Sequence, residues 1–181
     1  KVQVTPIQKS IEKSNIVHAI EEYLIRWGMN SRASVMIAGM ADEVITNALY
    51  AAPVDDLGKQ IYATTSRSTP IEMKADKAIE FKVVHDDHYF GFSVADQFGS
   101  LERQKIVSFL AKSFRNEEFK LKSAMSGAGI GLSELYALSG GLIFSWDPGS
   151  RTEVMAFFRK THSFKEVREQ FRFFSTFTSA V

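Results

Sequence analysis

The sequence predicts an α+β protein: a two-layer α/β sandwich in which a mixed, mostly antiparallel sheet carries helices packed on one face. Three observations lead there. Two helical periods occupy most of the first 52 residues. Period-two apolar alternation then recurs in two hairpin-like blocks, 79–96 and 141–160. Strands joined by such short turns pair antiparallel, because parallel neighbours need long crossovers, and helices must cover one face of the resulting sheet.

The elements follow in order. KVQVTPI reads as a short first strand stopped at Pro6. From Ser14, the apolar residues Ile16, Ile20, Tyr23, Leu24 and Trp27 recur at helical spacing, and Gly28 closes the run. A second helix spans about Arg32 to Ala52, with Ile37, Met40, Val44 and Ala48 on one face, and Pro53 stops it. Residues 54–78 read as a loop with one strand around IYATT. IEFKVVHDDHYFGFSVAD is a hairpin with a polar turn at His85 to His88. SLERQKIVSFLAKSF reads as a helix, NEEFKLKSAM as a mobile polar segment, and Gly131 to Leu138 as another helix, ended by Gly140-Gly141. GLIFSWD and TEVMAFFRK are two strands joined at Pro148-Gly149. SFKEVREQFRFFSTF reads as a final amphipathic helix, with Phe164, Phe171, Phe174 and Phe177 near one stripe.

Bulk composition narrows the class. The chain has 181 residues, 45% hydrophobic and 24% charged, which suits one globular domain with a real core. A net charge of +1 supplies no global field toward nucleic acid or membrane. No apolar run reaches the roughly 18 residues of a membrane span. There is no cysteine, which removes disulfide and thiolate chemistry and fits a cytoplasmic setting. The start at Lys1 rather than Met leaves room for a longer natural chain.

Four patterns could carry chemistry. Glu43 and Asn47 lie four apart and share a helix face. A carboxylate there can orient or deprotonate a water, and an amide oxygen can ligate Mg²⁺, a hard cation. A plain polar helix face has the same spacing. Asp96 ends a strand and precedes Gln97-Phe98-Gly99-Ser100. It can accept a hydrogen bond from an exocyclic amine, or it can organise a turn or cap the next helix. SGAGIGL places Gly127, Gly129 and Gly131 ahead of a helix, where bare backbone N–H groups favour an anion. It is not a P-loop, since no Gly-Lys-Ser/Thr follows. The run His85-Asp86-Asp87-His88 falls on a hairpin turn and is assigned no function.

In order along the chain, Glu-x-x-x-Asn on an early helix, an Asp at a strand end, Gly-x-Gly-x-Gly before a later helix and a strand with Thr-Glu-Val resemble the GHKL (Bergerat-fold) ATP-binding superfamily. The resemblance runs from about Ile16 to Phe158 and lies nearest the anti-sigma-factor serine kinases and histidine-kinase-like ATPase domains. It implies ATP and Mg²⁺ as cofactors. Glu43 matches the catalytic or water-positioning acid, Asn47 the Mg²⁺ ligand, Asp96 the acceptor of the adenine amine, and Thr152 the threonine beside the adenine. Gly127, Gly129 and Gly131 match the phosphate-side glycines, and residues 100–126 the lid. Residues 1–160 are then the expected nucleotide domain, and 161–181, by their own pattern, an aromatic helical extension. A regulatory partner protein, anti-anti-sigma-like or receiver-type, follows as the target, with a homodimer left open. One departure stands out. The family's Asp-x-Gly-x-Gly reads Asp96-Gln97-Phe98-Gly99-Ser100, so Gly99 falls between two replaced glycines. Two other functions stay open on the same fold: a non-catalytic interaction module, and the catalytic domain of a histidine kinase.

Overall fold

The computed structural model describes residues 2–102, 104–108, 111, 135–136, 138–169 and 172–178. Among these, six strands form one sheet in the order β1-β2-β3-β5-β4-β6. The strands are β1 (Val2–Ile7), β2 (Ile79–His85), β3 (Tyr89–Asp96), β4 (Gly141–Asp147), β5 (Arg151–Arg159) and β6 (Phe173–Thr178). All neighbours are antiparallel except β4 and β6, which are parallel. Helices α1 (Lys13–Arg26) and α2 (Ser31–Tyr50) cover one face, and a short α3 (Phe164–Glu169) precedes β6. This is the expected α+β sandwich.

Helix α2 organises the layer. The Asn30 side chain accepts from Arg32 N and Ala33 N, satisfying two of the donors that a helix start leaves open. At the other end Ala51 N and Ala52 N both donate to Asn47 O, and Pro53 follows. α2 packs on β2, β3 and α1. Most of its residues are buried, so helix propensity is reinforced by burial along nearly its whole length.

The alternation seen in the sequence sorts the two faces of the sheet. Phe81, Phe90, Phe92, Phe144 and Phe158 are buried. Rings of Phe81, Phe92 and Phe158 stack across β2, β3 and β5, with centroids 6.2 and 5.8 Å apart. Three of the fifteen phenylalanines stand in this row: each ring buries a large apolar area and helps fix the register of its strand. The alternate residues Glu80, Lys82, Ser93, Arg151 and Glu153 form a network on the opposite face. Hydrogen bonds from Arg151 and Lys82, helped by their charges, hold the Glu80 carboxyl below its ordinary range.

Three expectations need correction. β1 continues through Pro6 to Ile7, which a sheet edge tolerates because an edge strand can spare an N–H. The stretch around IYATT is a chain of turns, tied by Ile61 N to Pro53 O and Thr65 N to Tyr62 O. The C-terminal stretch is not one amphipathic helix. The described helix spans Phe164–Glu169, and Phe173–Thr178 is a strand that joins the sheet beside β4 rather than part of a helical extension. Among the described residues no helix is long and apolar enough to cross a membrane.

Candidate functional site

A cavity of about 500 Å³ opens between α2 and the inner ends of β3 and β5. Val44, Asn47, Ala48 and Ala51 line it from the helix, Val94, Asp96, Thr152 and Val154 from the strands, and Phe144 from β4. Its size and its apolar walls with a few polar groups suit a small organic ligand.

Asp96 lies on the cavity wall, 6% exposed. Burial pushes its carboxyl above the ordinary aspartate range, and the N–H groups of Phe98 and Gly99 oppose that shift. Both donate to Oδ1, at 2.9 and 3.1 Å. Both turn bonds therefore fall on one oxygen of the side chain. Thr152 stands opposite Asp96 in the β3–β5 register and is 4% exposed. Its hydroxyl is close enough to the carboxyl to favour the charged form. Among the described residues, however, it makes no hydrogen bond of acceptable geometry. A buried hydroxyl left in this state costs stability, and such atoms call for an explanation.

The turn after Asp96 is held at three points. Gly99 has φ +58°, and its Cα faces the β4–β5 turn so closely that a Cβ would lie 2.1 Å from Asp147 O. Gly149 N donates to Gly99 O at 3.1 Å. Ser100 Oγ, where the family pattern has glycine, donates to Ala52 O at 2.7 Å and ties the turn to the end of α2. Lys77 Nζ donates to Gln97 O at 2.8 Å and lies 5.2 Å from the centre of the Phe98 ring. Phe98 itself lines the cavity. Glycine at 99 thus answers to the packing of two turns.

Asn47 lines the cavity, whereas Glu43, one helical turn earlier, lies outside its wall. The two are joined directly: Asn47 Nδ2 donates to Glu43 Oε1 at 3.2 Å. Sequence reading missed the third member. Arg67 donates to Glu43 Oε2 at 3.2 Å and to Asn47 Oδ1 at 3.3 Å. Its sequence setting, Ser66-Arg67-Ser68 in a polar loop, carries no signal for this contact. The expected site residues Glu43, Asn47, Asp96, Gly99 and Thr152 are gathered on or beside one cavity. Gly127, Gly129 and Gly131, with most of the lid, lie outside the described residues. At the β2–β3 turn, Asp86 accepts from His88 N and Tyr89 N at 2.7 Å each, so this carboxylate shapes the hairpin.

No family model matches the chain, and no curated protein matches it. Among solved structures, the SiaB–SiaC complex from Pseudomonas aeruginosa is similar to this chain, at 19% identity and a TM-score of 0.49. The match covers 87% of this chain and 88% of that one.

Proposed function

We propose that this chain is an ATP- and Mg²⁺-binding signalling domain that phosphorylates, or binds in a nucleotide-dependent way, a regulatory partner protein of the anti-anti-sigma or receiver kind. One observation carries the reading. A buried carboxylate, Asp96, and a buried hydroxyl with no partner among the described residues, Thr152, face each other on the wall of a cavity that Asn47 also lines, and Asn47 bonds to Glu43 just outside that wall. A base with an exocyclic amine suits the Asp96 side. Both turn bonds use Asp96 Oδ1, so Oδ2 is the oxygen to accept that amine. The Thr152 hydroxyl gains a partner from a ring nitrogen or a bridging water.

The Asn47 side suits the rest of a nucleotide. Asn47 Oδ1 is the hard oxygen for Mg²⁺, and when bound the ion neutralises phosphate charge. Glu43, with its side chain 16% exposed, is placed to orient an acceptor hydroxyl and take its proton. Calorimetry with ATP and Mg²⁺ tests the reading. Binding should depend on the metal, and Asn47→Ala should lower affinity at least tenfold with an unchanged far-UV spectrum. Neither heat nor thermal stabilisation at millimolar nucleotide would sink it.

A second reading has its own support. Phe98, with Lys77 over its ring, narrows the purine end, as expected of an interaction module that keeps the fold without the nucleotide. The same titration separates the two.

A further inference from the structure

We propose that Arg67 is a resident cation: it occupies the Asn47 oxygen on which Mg²⁺ would sit, together with the neighbouring Glu43 carboxylate, and it has to leave before metal and nucleotide enter, so that filling the site is reported at the surface turn 66–69. The inference rests on the ATP–Mg²⁺ reading above.

Three oxygens face this one guanidinium. Nη1 donates to Glu43 Oε1 and Oε2 at 3.4 and 3.2 Å, and Nη2 donates to Asn47 Oδ1 at 3.3 Å. The Asn47 amide nitrogen is turned to Glu43, which leaves its oxygen for the cation. Mg²⁺ demands ligands at about 2.0–2.1 Å in near-octahedral array. A guanidinium bonded to the same oxygen blocks that approach, and two cations sharing it repel.

The turn that delivers Arg67 is fastened to the same helix. Thr69 N donates to Ser66 O at 2.9 Å, closing the turn. Tyr50 Oη donates to Thr69 O at 2.7 Å. Tyr50, Asn47 and Glu43 follow one face of α2, so a single helix stripe holds both the turn and the acceptors. The Arg67 side chain is 56% exposed, against 16% for Glu43, so the pair is open to water on the arginine side, where salt screens it.

The full chain with ATP and Mg²⁺ as the probe tests this. Arg67→Ala is expected to bind the Mg²⁺–nucleotide about two- to fivefold tighter than wild type, the worth of an exposed pair. In wild type, tryptic cleavage after Arg67 should quicken with ATP and Mg²⁺ but not with ATP and a chelator. Asn47→Ala should show the quicker cleavage with no ligand present. Wild-type binding with unchanged cleavage, or weaker binding by Arg67→Ala, overturns the inference and leaves the nucleotide function standing. No binding by either protein overturns both, whereas binding by Arg67→Ala alone upholds both.

Discussion

Replacing Gly99 with alanine tests how the site is built. Gly99 has φ +58°, where an L side chain costs roughly 1–2 kcal/mol. The new Cβ would stand 2.1 Å from Asp147 O, 2.6 Å from Ser150 N and 2.8 Å from Arg151 N. All three are backbone atoms of the β4–β5 turn, so no rotamer change relieves the clash, and overpacking of this kind costs about 1–3 kcal/mol. Together the loss is about 2–5 kcal/mol. For a chain of this length that lowers Tm by about 4–20 °C. Gly149→Ala is the matched control: φ is +74°, but nothing lies within 4 Å of the added carbon, so only the backbone cost of about 1–2 kcal/mol applies. Urea unfolding followed by circular dichroism measures both. If the two variants lose the same stability within about 0.5 kcal/mol, the seating of the Asp96–Gly99 turn against residues 147–151 is refuted.

Two further substitutions probe the purine end. Burial raises the Asp96 pKa, so the cost of its charge is absent below the ordinary aspartate pKa, sets in as pH rises through the raised value, and persists above it. Asp96→Asn keeps an oxygen for the turn and should therefore be more stable than wild type at neutral pH, but not at the lowest pH, while losing ATP binding. Equal Tm values across the pH range would contradict the burial cost. Phe98→Gly should tighten ATP binding by opening the cavity and lose about 1–3 kcal/mol of stability with the ring. Calorimetry with unchanged or weaker affinity would show that Phe98 is not what narrows the pocket.

How legible the molecule is in its sequence depends on the range of the interaction. α1 and α2 are readable because their periods are local and bounded by Asn30, Gly28 and Pro53. The hairpin 79–96 is readable because alternation and a turn-forming Asp86 sit together in the chain. FRFFSTF fits either period in isolation. Its state is decided by β4, about thirty residues away, whose edge accepts the strand. IYATT has strand-like residues, but local turn bonds hold it. At the site, Glu43, Asn47, Asp96 and Thr152 are recognisable by type and order. Ser100 and Arg67 are not. Each makes its decisive contact through one polar group to a partner more than twenty residues distant, and no periodicity records that.

The parallel placement of β6 ties the cavity to the far edge of the sheet. Phe174 on β6 packs 5.9 Å from Phe144, centroid to centroid, and Phe144 walls the cavity from β4. An outermost strand is the one most readily released by local opening, at less than the free energy of global unfolding. Each such opening turns β4 into the exposed border and frees one face of the Phe144 ring. The wall of the pocket is therefore only as steady as the strand beside it, and amide exchange in β4 is a gauge of that strand's attachment.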